Sequence, residues 1–230
     1  DHPNRFYNAS VTKDGGWLVI SVNIGTSSNN AVLVKGPNEK ELHWLISDFD
    51  AEVSLIGGMS NTLWFKTDRD APNGKLISVH FDSENPKWSV VLPEQQNILR
   101  SADIVGGKIT CSWLEDASSK ATVHSLLGNL LYEVKLPGIG TASGFNGDAK
   151  DKTVYWSYSS YNQPPSIYSL DLEDGATTLC WESEVPIDLS SIVVRREFVK
   201  STDGALVPLF IVASKDVVLN GDNAVLQYGY

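Results

Sequence analysis

Apolar and polar residues alternate along most of this chain in short runs, and the runs recur. "WLVISVNI" from Trp17, "TLWFKTD" from Thr62, "KITCSWLE" from Lys108 and "TVYWSYSS" from Thr153 start 45, 46 and 45 residues apart. A second series, "AVLVKG" from Ala31, "KLISVHF" from Lys75, "ATVHSLL" from Ala121 and "SIYSLDL" from Ser166, has spacings of 44, 46 and 45. Two independent series with one period mark an internal repeat. Each unit holds four runs rich in β-branched and aromatic residues, separated by turn formers such as "KDGG", "PNEK", "DAPNG", "SENPK" and "EDGA". Alternation with that punctuation predicts antiparallel hairpins, and no helical period of useful length competes. The predicted unit is a four-stranded meander of the length typical of a β-propeller blade, whereas a sandwich carries no regular four-strand period. The fold class is mainly β, with four blades at 6–47, 53–94, 98–137 and 140–183 inside a propeller region 1–186.

A closed ring of four blades is allowed, but nothing resembles a terminal strand that returns to close it, and the first unit begins abruptly at "HPNRF". The expectation is the second half of a larger propeller. After "TTLCWES" the period ends. "SSIVVRREFVKSTDGALVPLFIVASKD" predicts two longer strands around "STDGA", then a loop, then a third strand "AVLQYGY". These runs are apolar on both faces, as in a sheet covered on both sides. Region 187–230 is therefore expected to begin a second domain of α/β type.

Charge narrows the partners. Eighteen basic and twenty-eight acidic residues give a net charge of −10 over 230 residues, with no basic cluster beyond Arg195-Arg196. Nucleic acid and anionic membrane are excluded as natural partners. The longest apolar runs are far short of a membrane span, and the N-terminus carries no signal-peptide pattern. Cys111 and Cys180 lie in unrelated apolar runs, so both are expected to be buried thiols of a reducing compartment, which places the protein in the cytoplasm. The Asn8-Ala9-Ser10 sequon carries meaning only in a secreted protein.

Candidate chemistry within the repeats is sparse. His43, His80 and His124 sit inside blade runs and His2 near the terminus, all in structural settings. Asp48, Asp50 and Glu52, and the pair Glu115 and Asp116, are expected as solvated turn charges, with no metal-ligand spacing and no cofactor motif. All seven tryptophans fall on second or fourth runs: Trp17, Trp64, Trp113 and Trp156, then Trp44, Trp88 and Trp181. They serve either as wedge fillers between blades or as stacking platforms for sugar or peptide ligands. A nucleophile elbow of the form G-x-S-x-G is lacking; the strings around Ser60 and Ser143 are wrongly spaced.

The junction carries a resemblance. "REFVKSTDGALVPLFIVASKDVVLNGDNAVLQYGY" resembles the first strands of the peptidase domain of prolyl oligopeptidases, where a segment of the form "SKDGTKIPMFIV" leads to "YGYGGF". "DHPNRF", "ASVTKDGGWLVIS", "FKTDRDAPNGKLISVHFD" and "WSVVLPE" resemble consecutive stretches of that family's propeller, so the likeness runs over essentially the whole chain.

The resemblance implies the last four blades of a seven-bladed propeller and re-entry into an α/β-hydrolase domain that cuts short peptides after proline. By its place in the motif, Tyr230 would donate its phenol to the oxyanion. A phenol stays protonated at neutral pH, and one such donor is worth about 3 kcal/mol of transition-state stabilisation. Phe6 would face the substrate's distal pocket, or be an ordinary core aromatic. Thr26 stands where some relatives carry a cysteine near the active site, so thiol-dependent inhibition is not expected. The nucleophile, Asp and His of the triad lie outside this chain, which by itself is not expected to catalyse. The implied partners are short proline-containing peptides and a C-terminal catalytic segment, with self-association if the chain ends here. Hydrolysis and peptide macrocyclisation stay open. The competing reading is a non-catalytic propeller that binds carbohydrate or protein.

Overall fold

The computed structural model describes residues 2–82 and 85–229, and the regular structure among them is entirely β. Strands β1 (Arg5–Val11), β2 (Leu18–Ile24), β3 (Asn30–Lys35) and β4 (His43–Ile46) form the first sheet. β5 (Val53–Met59), β6 (Thr62–Thr67), β7 (Lys75–Phe81) and β8 (Pro86–Leu92) form the second. β9 (Ile98–Val105), β10 (Lys108–Glu115), β11 (Ser118–Ser125) and β12 (Leu130–Glu133) form the third. β13 (Thr141–Asn146), β14 (Thr153–Ser160), β15 (Gln163–Asp171) and β16 (Thr177–Glu182) form the fourth. Each is an antiparallel meander with its strands in chain order. A separate hairpin follows, β17 (Ile192–Lys200) and β18 (Leu206–Ser214), in unbroken register from Ile192↔Ser214 to Lys200↔Leu206.

The turns follow from local chemistry. In "KDGG" the Asp14 carboxylate accepts from the Thr12 hydroxyl at 2.6 Å and the Gly16 amide at 3.0 Å, while Gly15 takes φ +74°. Gly106 and Gly107, at φ +56° and +71°, make the two-residue turn between β9 and β10 that strand twist favours.

Alternation sends side chains to both faces of the inner sheets, and each face packs on the next sheet. Val19, Val32 and Val34 of the first sheet meet Leu63, Phe65 and Val79 of the second. On the other face of the second, Trp64, Leu76 and Leu92 meet Ile109, Cys111 and Trp113 of the third. Ala121 and Val123 then meet Val154, Trp156 and Tyr158 of the fourth. At about 1.5–3 kcal/mol per fully buried large apolar side chain, these three layers are the core. The first strands of neighbouring sheets lie side by side, β5 with β9 and β9 with β13, as blades arranged around an axis require.

The tryptophans divide by strand. Trp17, Trp64, Trp113 and Trp156, at or within second strands, are buried in the layers. Trp44, Trp88 and Trp181, on outermost strands, are 43%, 44% and 55% exposed, so wedge filling describes only the first group. Two buried indoles also donate across layers, Trp17 Nε1 to Ser60 O at 2.8 Å and Trp64 Nε1 to Leu126 O at 3.4 Å.

Other expectations are corrected. Cys111 is buried, but Cys180 is exposed, because β16 is the outermost strand of its sheet. The expected third strand "AVLQYGY" is not formed over its described residues, 224–229. Residues 224–229 have no regular structure, and Val225, Leu226 and Tyr228 are exposed. The hairpin is likewise mostly exposed rather than covered on both faces. An apolar run sets what a strand can bury, and a neighbouring layer must be there for it to do so. The start of an α/β domain is thus not displayed by the described residues.

Candidate functional site

In each sheet the first strand begins, and the turn between second and third strands lies, at one end of the stack. Phe6 is on β1 opposite Asn23, and it is 60% exposed, not a core aromatic. The turn after β2 folds beside it, with Gly25 N donating to Asn4 O at 3.0 Å. Phe6 and Thr26 are therefore brought to the same end of blade 1. Arg5 lies over the Phe49 ring, 5.3 Å from its centroid. Tyr230 lies outside the described residues.

Ties across and within blades hold this end. Asn30, 2% exposed at the start of β3, accepts from Val53 N at 2.8 Å and donates to Val53 O at 3.0 Å. Its backbone amide donates to Ala51 O at 3.0 Å. One amide side chain thus docks the first strand of blade 2 on blade 1. Arg69 pairs with Asp48, whose carboxyl the guanidinium holds below the usual carboxylate value. Glu115 takes bonds from Asn97 at 2.7 Å and Lys120 at 3.3 Å, and Lys120 also reaches Glu133 at 3.1 Å. Asp48 and Glu115 are therefore paired, rather than the simple solvated charges expected from their turns.

At the opposite end Lys13 reaches across the inner strands. Its ammonium donates to both Asp103 oxygens at 2.9 Å, to Ile104 O at 3.3 Å and to Gly147 O, so blade 1 grips blades 3 and 4. Beside it the Asp14 carboxylate accepts from Ser60 N at 3.0 Å. Burial pushes the Asp14 carboxyl up, but the Thr12 hydroxyl and the Gly16 and Ser60 amides outweigh it and hold it below its ordinary value.

Sequence reasoning missed Lys13, Asn30, Asp103 and Arg196, whose guanidinium meets the turn between β10 and β11. The one signal was Asp103 itself, a charge inside the strand run "SADIV". Among the described residues no group of His, Cys, Asp and Glu is placed to hold a metal, and no helix is long and apolar enough to cross a membrane.

Four antiparallel meanders stacked face to face, with first strands adjacent from the second sheet to the fourth, define blades of a β-propeller. Residues 1–183 match the family described as prolyl oligopeptidase, N-terminal beta-propeller domain. The chain belongs to the prolyl oligopeptidase family through that domain. It is 29% identical over 229 residues to a prolyl endopeptidase of Elizabethkingia miricola and 30% identical over 231 residues to that of Elizabethkingia meningoseptica, covering 99% of this chain and 32% of each relative. A dual function macrocyclase-peptidase of Galerina marginata is 24% identical over 251 residues, covering 100% of this chain and 33% of the relative. A solved prolyl endopeptidase structure superposes with TM-score 0.84 at 35% identity, over 94% of this chain and 32% of that one. Prolyl oligopeptidase B of Galerina marginata superposes with TM-score 0.85 at 21% identity, over 95% and 32%, which supports the fold alone. The chain thus spans about a third of the length of these relatives.

Proposed function

We propose that the chain forms part of a serine peptidase that cleaves short peptides after proline, acting in the cytoplasm. The observation that carries this reading is its extent. Similarity to prolyl endopeptidases covers 99% of the chain and continues beyond the blades, which end at Glu182, into the hairpin. In the proposed enzyme the four blades are the last of a seven-bladed propeller, and region 187–230 enters an α/β-hydrolase domain. That domain supplies a Ser nucleophile, a His base and an orienting Asp. Tyr230 donates to the oxyanion, worth about 3 kcal/mol, and Phe6, exposed at the blade end that also carries Thr26, faces the peptide. The propeller admits short peptides and keeps folded proteins out.

The intact protein is tested on a short fluorogenic peptide with proline before the scissile bond, on the same peptide with alanine there, and on a folded protein containing proline. Cleavage of the first alone supports the reading. Mass analysis of the products separates hydrolysis, which adds one water across the scissile bond, from macrocyclisation, in which the peptide's own N-terminal amine takes the acyl group as the leaving segment departs, so that the product is one water lighter than the hydrolysed acid. Exposed Trp44, Trp88 and Trp181 favour a second reading, a binding propeller. No cleavage of any peptide, together with saturable binding of a saccharide or peptide on these indoles, selects it. Self-association is read in the same preparation from its mass in solution.

A further inference from the structure

Polar and ring contacts tie the hairpin β17–β18 to the blades. Asn162 Nδ2 donates to Ile192 O at 3.0 Å, the rings of Tyr161 and Phe210 lie 6.0 Å apart, and Arg196, opposite Phe210 in the hairpin, reaches the turn between β10 and β11. One guanidinium nitrogen of Arg196 donates to Glu115 O and Asp116 O, each at 3.2 Å, and to Ser118 Oγ at 2.9 Å. The other lies 3.7 Å from the Asp116 carboxylate.

The turn it meets is unusual. Asp116 and Ala117 both hold positive φ, +48° and +61°, the signature of a tight hairpin turn that normally selects Asn or Gly. The turn between β9 and β10 in the same blade meets this demand with Gly106 and Gly107. Ala117 has no polar side chain to ease the left-handed conformation, so it is strained there. Arg196 engages the carbonyls of Glu115 and Asp116, on either side of the first left-handed residue. A charge-assisted donor to two carbonyls and a hydroxyl favours the one turn conformation that presents all three acceptors together.

We infer that Arg196 and the strained turn Asp116-Ala117 form a two-part clamp that fixes the position of the β17–β18 hairpin on blade 3. The turn holds its acceptors ready for the guanidinium, and the guanidinium in turn holds the strained turn. Arg196 is a positioning residue. The clamp does not depend on the peptidase reading, and its test has no activity readout.

Hydrogen–deuterium exchange on the intact protein compares wild type with Arg196→Ala, Arg196→Lys and Ala117→Gly. Arg196→Ala is expected to speed exchange in 192–200, 206–214 and the 115–118 turn by on the order of tenfold or more, with blade 1 unchanged. Arg196→Lys, which keeps the charge but loses the planar fork, falls between the two. Ala117→Gly relieves the turn, keeps its acceptors and leaves the hairpin protected as in wild type. Hairpin exchange unaltered in Arg196→Ala overturns the clamp. So does an equal rise in all four blades, which would make Arg196 a general stability residue.

Discussion

Asn30→Ala tests whether one buried amide docks blade 2 on blade 1. The side chain makes two bonds to the backbone of Val53, 2.8 Å to its N–H and 3.0 Å from its own Nδ2 to the carbonyl, in a buried setting at both residues. Truncation removes both and offers no replacement, because neither group faces open solvent. A net bond is worth about 0.5–1.5 kcal/mol, and a buried group left unpaired costs about 1–3 kcal/mol. Together these put the loss at roughly 2–4 kcal/mol. Asn30→Asp sharpens the test. A carboxylate still accepts from Val53 N–H, but it cannot donate to Val53 O and would be a buried charge. Its loss at neutral pH should exceed that of Asn30→Ala and shrink on acidification, as the protonated carboxyl regains a donor. Urea unfolding is the assay, read as a shift in midpoint with unchanged slope. A cost for Asn30→Ala below about 0.5 kcal/mol, the range of ordinary surface changes, would refute the reasoning.

Three further outcomes are expected. The His124 ring accepts from Thr122 at 2.9 Å, Thr122 accepts from Trp113 at 2.8 Å, and the other ring nitrogen bonds Gly128 O at 3.1 Å, which suits the neutral imidazole. Burial holds its pKa below 6.5, the Gly128 carbonyl opposing, so the unfolded chain binds the proton first. Stability should be full above that pH and fall as pH drops below it toward the folded-state pKa, a slope that His124→Gln should remove and whose persistence in that variant would refute the assignment. Of the two thiols, Cys180 is exposed and burial pushes Cys111 up to about 12, so a thiol reagent at mild pH should titrate one rapidly and the second only on unfolding; two fast thiols would contradict this. A Cβ at Gly128 would sit 1.8 Å from Val91 O at φ +86°, whereas one at Gly107 meets nothing within 4 Å at φ +71°. In thermal unfolding, Gly107→Ala should cost about 1–2 kcal/mol of left-handed strain and Gly128→Ala clearly more; equal costs would show that the blade contact yields.

The blades were legible because their signals are local. Two-residue alternation, turn residues and a period near 45 residues all act within one hairpin or one copy of the unit, and copies reinforce each other. The hairpin at "STDGA" was legible for the same reason. The fate of "AVLQYGY" was not, since a strand exists only with a partner, and burial on both faces requires two further layers. Cys180 shows the same limit. Its run reads like that of Cys111, yet β10 is an inner strand and β16 an edge, and strand order is not a property of the run.

The ties that define the candidate site lie in the least legible class. Asn30 to Val53 spans 23 residues, Trp17 to Ser60 spans 43, Arg196 to Ser118 spans 78 and Lys13 to Asp103 spans 90. None obeys the repeat, because three join different positions in different blades and the fourth joins the hairpin to blade 3. A repeat stacks through copies of one apolar pattern, and such a pattern alone would let neighbours slide or rotate with little loss. The polar ties remove that freedom, since a hydrogen bond needs both a short distance and a favourable angle, which an apolar contact does not. They therefore fix which residues meet at each end of the stack. At one end they set the start of β1, where Phe6 and Thr26 stand, and the rim of blade 3 that receives the hairpin; at the other Lys13 binds three blades into one unit.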